Sequence, residues 1–329
     1  MNRLASIDRS LGLRILLSLV LIVACSVAVD GFATMATVAS IVENVGLIGL
    51  VASGLMLTMV AGQLDIAVAS VAAVSGIIAL LLGPYSLVLG IVAAIAGAGI
   101  YGCAIGWIIA RTGVSSLVLT VCALIGLRGL ALVLVPQSPA VLADNLFWVS
   151  DDLVARIGPT TVLGIIALVI IVALGVAMRR TRLGLSLYAV GGNVERARGS
   201  GVNATKVYMV AFAGSAMLAA VAGILAALRS GSASGTGMDS FLLDGITAAV
   251  VGGVSLEGGR GSIVNVLLGG LIVRIIAAVV ALEGVQGSVE SIATGGILLA
   301  MLLVDYALAE RKGEGGLCRF RVFARPIRT

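Results

Sequence analysis

Residues 59–76 read MVAGQLDIAVASVAAVSG, and one charged residue, Asp65, interrupts sequence apolar enough to lie in a lipid bilayer. Beyond it no Asp, Glu, Lys or Arg occurs until Arg111. A carboxylate at the bilayer centre costs about 2.5–3.5 kcal/mol on insertion scales unless it faces protein or water. Gly62 and Asp65 therefore mark a break between two helices. The pattern predicts Asp65 as the N-cap of a helix beginning at Ile66, close enough to the membrane surface for its charge to stay hydrated. The alternative is a gate residue paired with an arginine.

The rest of the chain has the same character. Of 329 residues, 60% are hydrophobic and 11% charged, with a mean hydropathy of +1.19; soluble domains carry about 25% charged residues. A membrane-spanning helix needs about 20 apolar residues. Apolar windows fall at 12–29, 38–61, 66–82, 87–110, 115–135, 160–178, 207–228, 241–255, 263–282 and 288–308. The short one, 241–255, reads as a half-helix or re-entrant segment. The expected fold is all-α: a polytopic bundle of ten membrane helices, some broken or short, in a single domain over 1–308. A basic tail follows over 309–329, with membrane-surface contact as its default role.

Positive charge sets the expected orientation. Arg3 and Arg9 precede the first window and Arg14 lies at its start, and segment 179–206 holds Arg179, Arg180, Arg182, Arg196, Arg198 and Lys206 against Glu195. Ten crossings place both segments and the tail on the cytoplasmic side, with both termini inside. Loop 136–158, carrying Asp144, Asp151 and Asp152, then falls outside. Ile22-Val23-Ala24-Cys25 has the look of a lipoprotein cleavage site, but uncleaved first helices begin in the same basic way. An uncleaved helix is expected.

Several chemistries are excluded or disfavoured. With no His in the chain, imidazole ligands and Ser-His-Asp triads are absent. Cys25, Cys103, Cys122 and Cys318 form no CxxC, so neither a disulfide nor a metal site is expected. Gly97-Ala98-Gly99-Ile100-Tyr101-Gly102 matches GxGxxG, but a dinucleotide site needs a preceding strand and a later acid. Here the motif lies in a charge-free helix, which makes it a packing surface. Two small-residue ridges, Ala94/Ala98/Gly102/Gly106 and Ala211/Ser215/Ala219/Gly223/Ala227, read as close helix contacts. No GxxxxGK(S/T) occurs, so this chain is not expected to bind ATP through a P-loop, and if ATP drives its work a separate subunit must supply the ATPase. The partner that the composition names is the lipid bilayer, not nucleic acid.

Two further segments stand out. In RRTRLGLSLYAVGGNVERARGSGVNATKVY, residues 179–208, Gly191-Gly192-Asn193 starts a short helix with Asn193 as N-cap and Glu195 in its first turn. Gly201 ends it as a left-handed cap. That capped helix is either a docking knob for a cytoplasmic partner or an ordinary basic loop. In FLLDGITAAVVGGVSLEGGRGS, residues 241–262, Asp244 opens an apolar run that ends in a glycine-dense turn holding Glu257 and Arg260. Asp244 is expected to pair with Arg128, with Arg274 as the substitute, in a structural or a gating role. Glu257 and Arg260 are expected to neutralise each other in the turn.

These segments together resemble the transmembrane permease subunits of bacterial ABC importers for monosaccharides, the ribose, xylose, arabinose and rhamnose group. Gly62-Gln63-Leu64-Asp65-Ile66-Ala67-Val68-Ala69-Ser70 is similar to the family's Gly-x-(Ile/Phe)-Asp-Leu-Ser-Val-(Gly/Ala)-Ser. Arg128-Gly129-Leu130-Ala131 resembles its Arg-Gly-Leu-Ala element. Thr181-Arg182-Leu183-Gly184 and Tyr188-Ala189-Val190-Gly191-Gly192-Asn193 resemble its central loop. Leu243-Asp244 and Gly252-Gly253-Val254-Ser255-Leu256, followed by Gly258-Gly259 and Gly261-Ser262, resemble its C-terminal block. The matches run in order over residues 45 to 305.

The resemblance implies a homo- or heterodimer of permeases that takes sugar from a periplasmic binding protein and contacts two ATPase domains in the inner membrane. It assigns Gly191, Gly192, Asn193, Glu195, Arg198 and Gly201 to ATPase coupling. Asp65, Ser70, Arg128, Asp244, Glu257 and Arg260 become translocation or gating candidates. The chain departs from the family at Ala67 (usually Ser), at Gly199 (commonly Leu), and at Arg274 and Ala277-Ala278, where small residues and asparagines are common. The last departure leaves the sugar unspecified. A branched-chain amino-acid permease and an ion-coupled secondary transporter, with Asp65 or Asp244 as coupling carboxylate, are the alternatives.

Overall fold

The computed structural model describes residues 2–136 and 138–284, and beyond them 289, 292–296 and 299. The tenth window, the tail and Cys318 lie largely or wholly outside the described residues. The other nine windows each fall on a helix: α1 (Asn2–Ala28), α2 (Met35–Val60), α3 (Val68–Leu82), α4 (Leu87–Thr112) and α5 (Ser116–Leu134), then α7 (Val162–Arg180), α10 (Ala204–Ser230), α11 (Asp239–Val251) and α12 (Ile263–Leu282). Three short helices join them: α6 (Phe147–Val154), α8 (Arg182–Gly192) and α9 (Val194–Gly199). Among the described residues, six helices are long and apolar enough to cross a membrane, namely α2, α4, α5, α7, α10 and α12. The apolar parts of α1 (Arg14–Ala28) and α3 are shorter. At 13 residues, α11 is about 20 Å long, short of the roughly 30 Å hydrocarbon core.

The long helices alternate in direction. One end of the bundle gathers linker 61–67, segment 113–115, α8, α9 and loop 252–262. The other end carries α6, a long-range antiparallel pairing of β1 (Ala140–Val141) with β4 (Ser232–Ala233), and a short hairpin of β2 (Arg156–Ile157) with β3 (Thr160–Thr161).

The central helix is α10, which packs on α2, α3 and α4. Small residues let these backbones touch, as the two ridges predict. A β-carbon on Gly102 would collide with the carbonyl of Phe212, and one on Gly223 with the carbonyl of Ala72. Gly97, by contrast, faces open space and Gly99 meets only the Met217 side chain, so the close backbone contact of the GxGxxG match comes from Gly102.

At the α6 end, Arg229 Nε lies 2.6 Å from Glu43 Oε1, and Glu43 is buried. The contact is an ion pair between α10 and α2. Arg229 Nη1 also donates to Asn44 Oδ1 (3.4 Å), and its carbonyl accepts from Ser150 Oγ (3.2 Å). The pair thus joins α2, α10 and α6. Removing one member of a buried pair leaves an uncompensated charge, and that costs more than replacing both. Arg229→Met should destabilise by about 3 kcal/mol, because Glu43 stays buried. Glu43→Gln should cost less, since the half-buried guanidinium can turn to water. The Glu43→Gln/Arg229→Met double variant should recover part of the loss. Thermal unfolding of the detergent-solubilised chain measures this, and equal effects of the two single changes would refute it.

Candidate functional site

The three segments singled out in the sequence meet at one end of the bundle. In the first, α2 ends at Val60 and the chain turns back on itself. Gly62 adopts φ 78°, and Gln63 N donates to the Thr58 carbonyl at 2.9 Å. Linker 61–67 is irregular backbone inside an apolar bundle, which survives only when protein covers it. Here α5 does so: Ser116 Oγ accepts from Leu64 N (3.2 Å), and Ser70 Oγ donates to the Leu124 carbonyl (3.0 Å).

Asp65 is only 1% exposed, which corrects the expectation of a hydrated cap. The helix resumes at Val68 instead of Ile66, with Ala67 at its N-cap and no side-chain cap. One carboxylate oxygen of Asp65 accepts from Ala67 N (3.1 Å), and the other accepts from Ser215 Oγ (2.9 Å). Ser215 lies eleven residues into α10, about 16 Å along its axis. The carboxylate therefore sits deep in the bundle and ties the linker to the central helix.

The second segment behaves as its caps predict. Asn193 Oδ1 accepts from Arg196 N at 2.9 Å, making it the N-cap of α9. Gly201, with φ 82°, closes α9. Gly201 N donates to the Arg198 carbonyl and Val202 N to the Ala197 carbonyl, the paired bonds of a Schellman motif. Gly191 and Gly192 end α8 and do not start the next helix, which corrects that assignment. Glu195, Arg196 and Arg198 are exposed on α9, with Ala197 buried beneath.

In the third segment, loop 252–262 folds against the first two. Gly259 N donates to the Val60 carbonyl (2.8 Å), and Tyr188 Oη donates to the Gly261 carbonyl (2.8 Å). Burial pushes the Tyr188 phenol up, with Arg179 pulling it partly back, so the hydroxyl stays a donor. A β-carbon on Gly191 would collide with the Val60 carbonyl, and one on Gly258 would stand 2.7 Å from the Gly191 carbonyl and 2.9 Å from Gly62 Cα. Glu257 and Arg260 are exposed in this loop, which is shaped by Ser255 N donating to the Arg260 carbonyl and by Ser255 Oγ accepting from Glu257 N.

The expected Asp244–Arg128 pair does not form. Asp244 Oδ2 faces Arg274 Nη1 at 3.6 Å, and Arg128 Nη2 donates to Asp239 Oδ2 at 3.0 Å. Asp239 and Asp244 are five residues apart on α11, hence about 140° apart around its axis, so each acid faces a different neighbour. The Arg128–Asp239 pair, 42% and 53% exposed, links α11 to α5, the least covered of the long helices among the described residues.

Sequence reasoning passed over Ser215, Tyr188 and Glu43. Ser215 was legible as the one hydroxyl in a ridge of Ala and Gly, and Glu43 as an acid inside an apolar window.

A family model described as "Branched-chain amino acid transport system / permease component" matches residues 37–303. Among curated relatives, the ribose import permease protein RbsC of Escherichia coli K12 is 31% identical over 262 residues, 78% of this chain and 81% of that protein. The L-arabinose ABC transporter permease protein AraH of Azospirillum brasilense is 31% identical over 266 residues, 79% of this chain and 76% of its own. The xylose transport system permease protein XylH of Haemophilus influenzae is 25% identical over 336 residues, covering 83% and 90%. No solved structure matches. The apolar helices and these relatives agree on a multi-pass membrane protein. The chain belongs to the family described as the permease component of branched-chain amino acid transport systems, and within the family it is similar to permeases named for ribose, arabinose and xylose.

Proposed function

We propose that the chain is the membrane-spanning permease subunit of an ATP-driven importer that passes a monosaccharide from a binding protein into the cell. The observation that carries this reading is the joining of a capped, basic helix, α9, to the broken helix at Asp65, in a chain similar to three sugar permeases. An ATPase subunit docks on α9, with Asn193, Glu195, Arg198 and Gly201 shaping its surface. The basic segments 179–206 and 309–329 lie on the cytoplasmic side, ten crossings place both termini there, and the membrane is the bacterial inner membrane. Loop 136–158 faces the binding protein. ATP and Mg bind the ATPase subunit, so this chain moves sugar without covalent chemistry.

A second permease subunit, identical or related, packs along the face bearing α5 and α11. The exposed Arg128–Asp239 pair belongs on that face, because charges on a spanning helix need protein or water around them. Sugar passes between the two subunits, and selectivity resides mostly in the binding protein.

The broader family description leaves a branched-chain amino acid as the cargo to be tested against. Uptake of labelled ribose, arabinose, xylose and leucine by proteoliposomes holding the permease, its ATPase and its binding protein tests the reading. A pentose should enter and leucine should not.

A further inference from the structure

We infer that Gly191, Gly258 and Gly259 are positioning residues that form a rigid backbone joint, through which movement of the ATPase-docking helix reaches the linker holding Asp65. The inference rests on the reading of α9 as the docking helix. Between α8 and α9 there is only Asn193, so displacement of α9 reaches Gly191 with no intervening slack. At Gly191 the backbone lies directly on the Val60 carbonyl, whose hydrogen-bond donor is Gly259 N at 2.8 Å. Gly258 backs onto both the Gly191 carbonyl and Gly62, and Gly258 and Gly259 take φ of 93° and 70°. One turn before Gly191, Tyr188 fastens the same helix to the Gly261 carbonyl.

Three chain segments therefore meet backbone against backbone. Side chains between helices can change rotamer and absorb a shift, whereas backbones in van der Waals contact transmit it. Two outputs leave the joint. Val60 is the last residue of α2, and five residues on is Asp65, bonded to Ser215 in α10. Gly261 precedes Ser262, whose hydroxyl caps α12, the helix carrying Arg274 opposite Asp244. Asp65 is thus five residues from the joint, and the Arg274–Asp244 pair is reached along about three turns of α12.

The test uses the full assembly in proteoliposomes and reads sugar taken up per ATP hydrolysed, together with ATPase co-purification and thermal stability. Gly191→Ala should still bind the ATPase and hydrolyse ATP, while uptake per ATP falls about tenfold, the scale of a typical coupling free energy. Tyr188→Phe, which loses one hydrogen bond and no packing, should lower the ratio about fivefold. It decides the question if Gly191→Ala does not fold. Gly97→Ala, on an open face of α4, should match wild type. A wild-type ratio in Gly191→Ala or, failing its folding, in Tyr188→Phe overturns the joint while leaving the importer reading intact. If the wild-type assembly takes up sugar without needing ATP, the importer reading fails and the joint fails with it.

Discussion

Reversing the charges of α9, with Glu195→Arg and Arg198→Glu together, should abolish ATP-driven uptake while leaving the bundle folded. Both side chains are exposed, so neither supports the core. The helix itself depends on the Asn193 cap and the Gly201 closure, which the substitutions leave in place. Glu195 does sit favourably in the first turn and Arg198 near the last. Reversing them therefore costs the helix about 1 kcal/mol in total. A docking surface responds on a larger scale, because like charges set against a complementary partner oppose association by several kcal/mol. Co-purification of the ATPase should fall about a hundredfold in affinity, and uptake should disappear with it. Retained uptake with the double reversal would mean that the ATPase docks elsewhere.

Asp65→Ala is the second large effect. It strips the acceptor from Ser215 Oγ, itself 0% exposed, and from Ala67 N. Each buried polar group left without a partner costs about 1–3 kcal/mol, so the loss should be about 3 kcal/mol. Asp65→Asn keeps an amide oxygen that can accept one of the two bonds and should cost about 1 kcal/mol. Ser215→Ala should fall between, since the carboxylate then keeps only the Ala67 amide. Thermal unfolding of the solubilised chain gives this order. Wild-type stability of Asp65→Ala would show that the linker is held in place by packing alone.

Much of this was legible in the sequence. Hydropathy windows located nine helices because a membrane helix needs an unbroken apolar run, a one-dimensional property. The caps of α9 were legible for a similar reason, since Asn193 and Gly201 act on backbone within four residues. What could not be read was placement across the chain. Asp65 follows a turn that folds back toward α10, so counting residues from the window edge put it at the membrane surface when it lies deep in the bundle. Arg128 took Asp239 in place of Asp244 because the two acids point to different sides of α11. The joint was invisible for the same reason: Gly191, Gly258 and Gly259 each look like local turn residues, and only their convergence on Val60 and Gly62 gives them a common purpose. Ser215 was hidden by its company, being read as one more small residue in a packing ridge.

The most direct measurement is uptake of labelled pentoses by proteoliposomes, with and without ATP, the ATPase subunit and the binding protein, and with an imposed pH gradient in place of ATP. Uptake that requires all three components and ignores the gradient is the predicted result. Uptake that persists without the ATPase and follows the gradient would contradict it, and would make Asp65 and Asp244 coupling carboxylates of an ion-driven carrier.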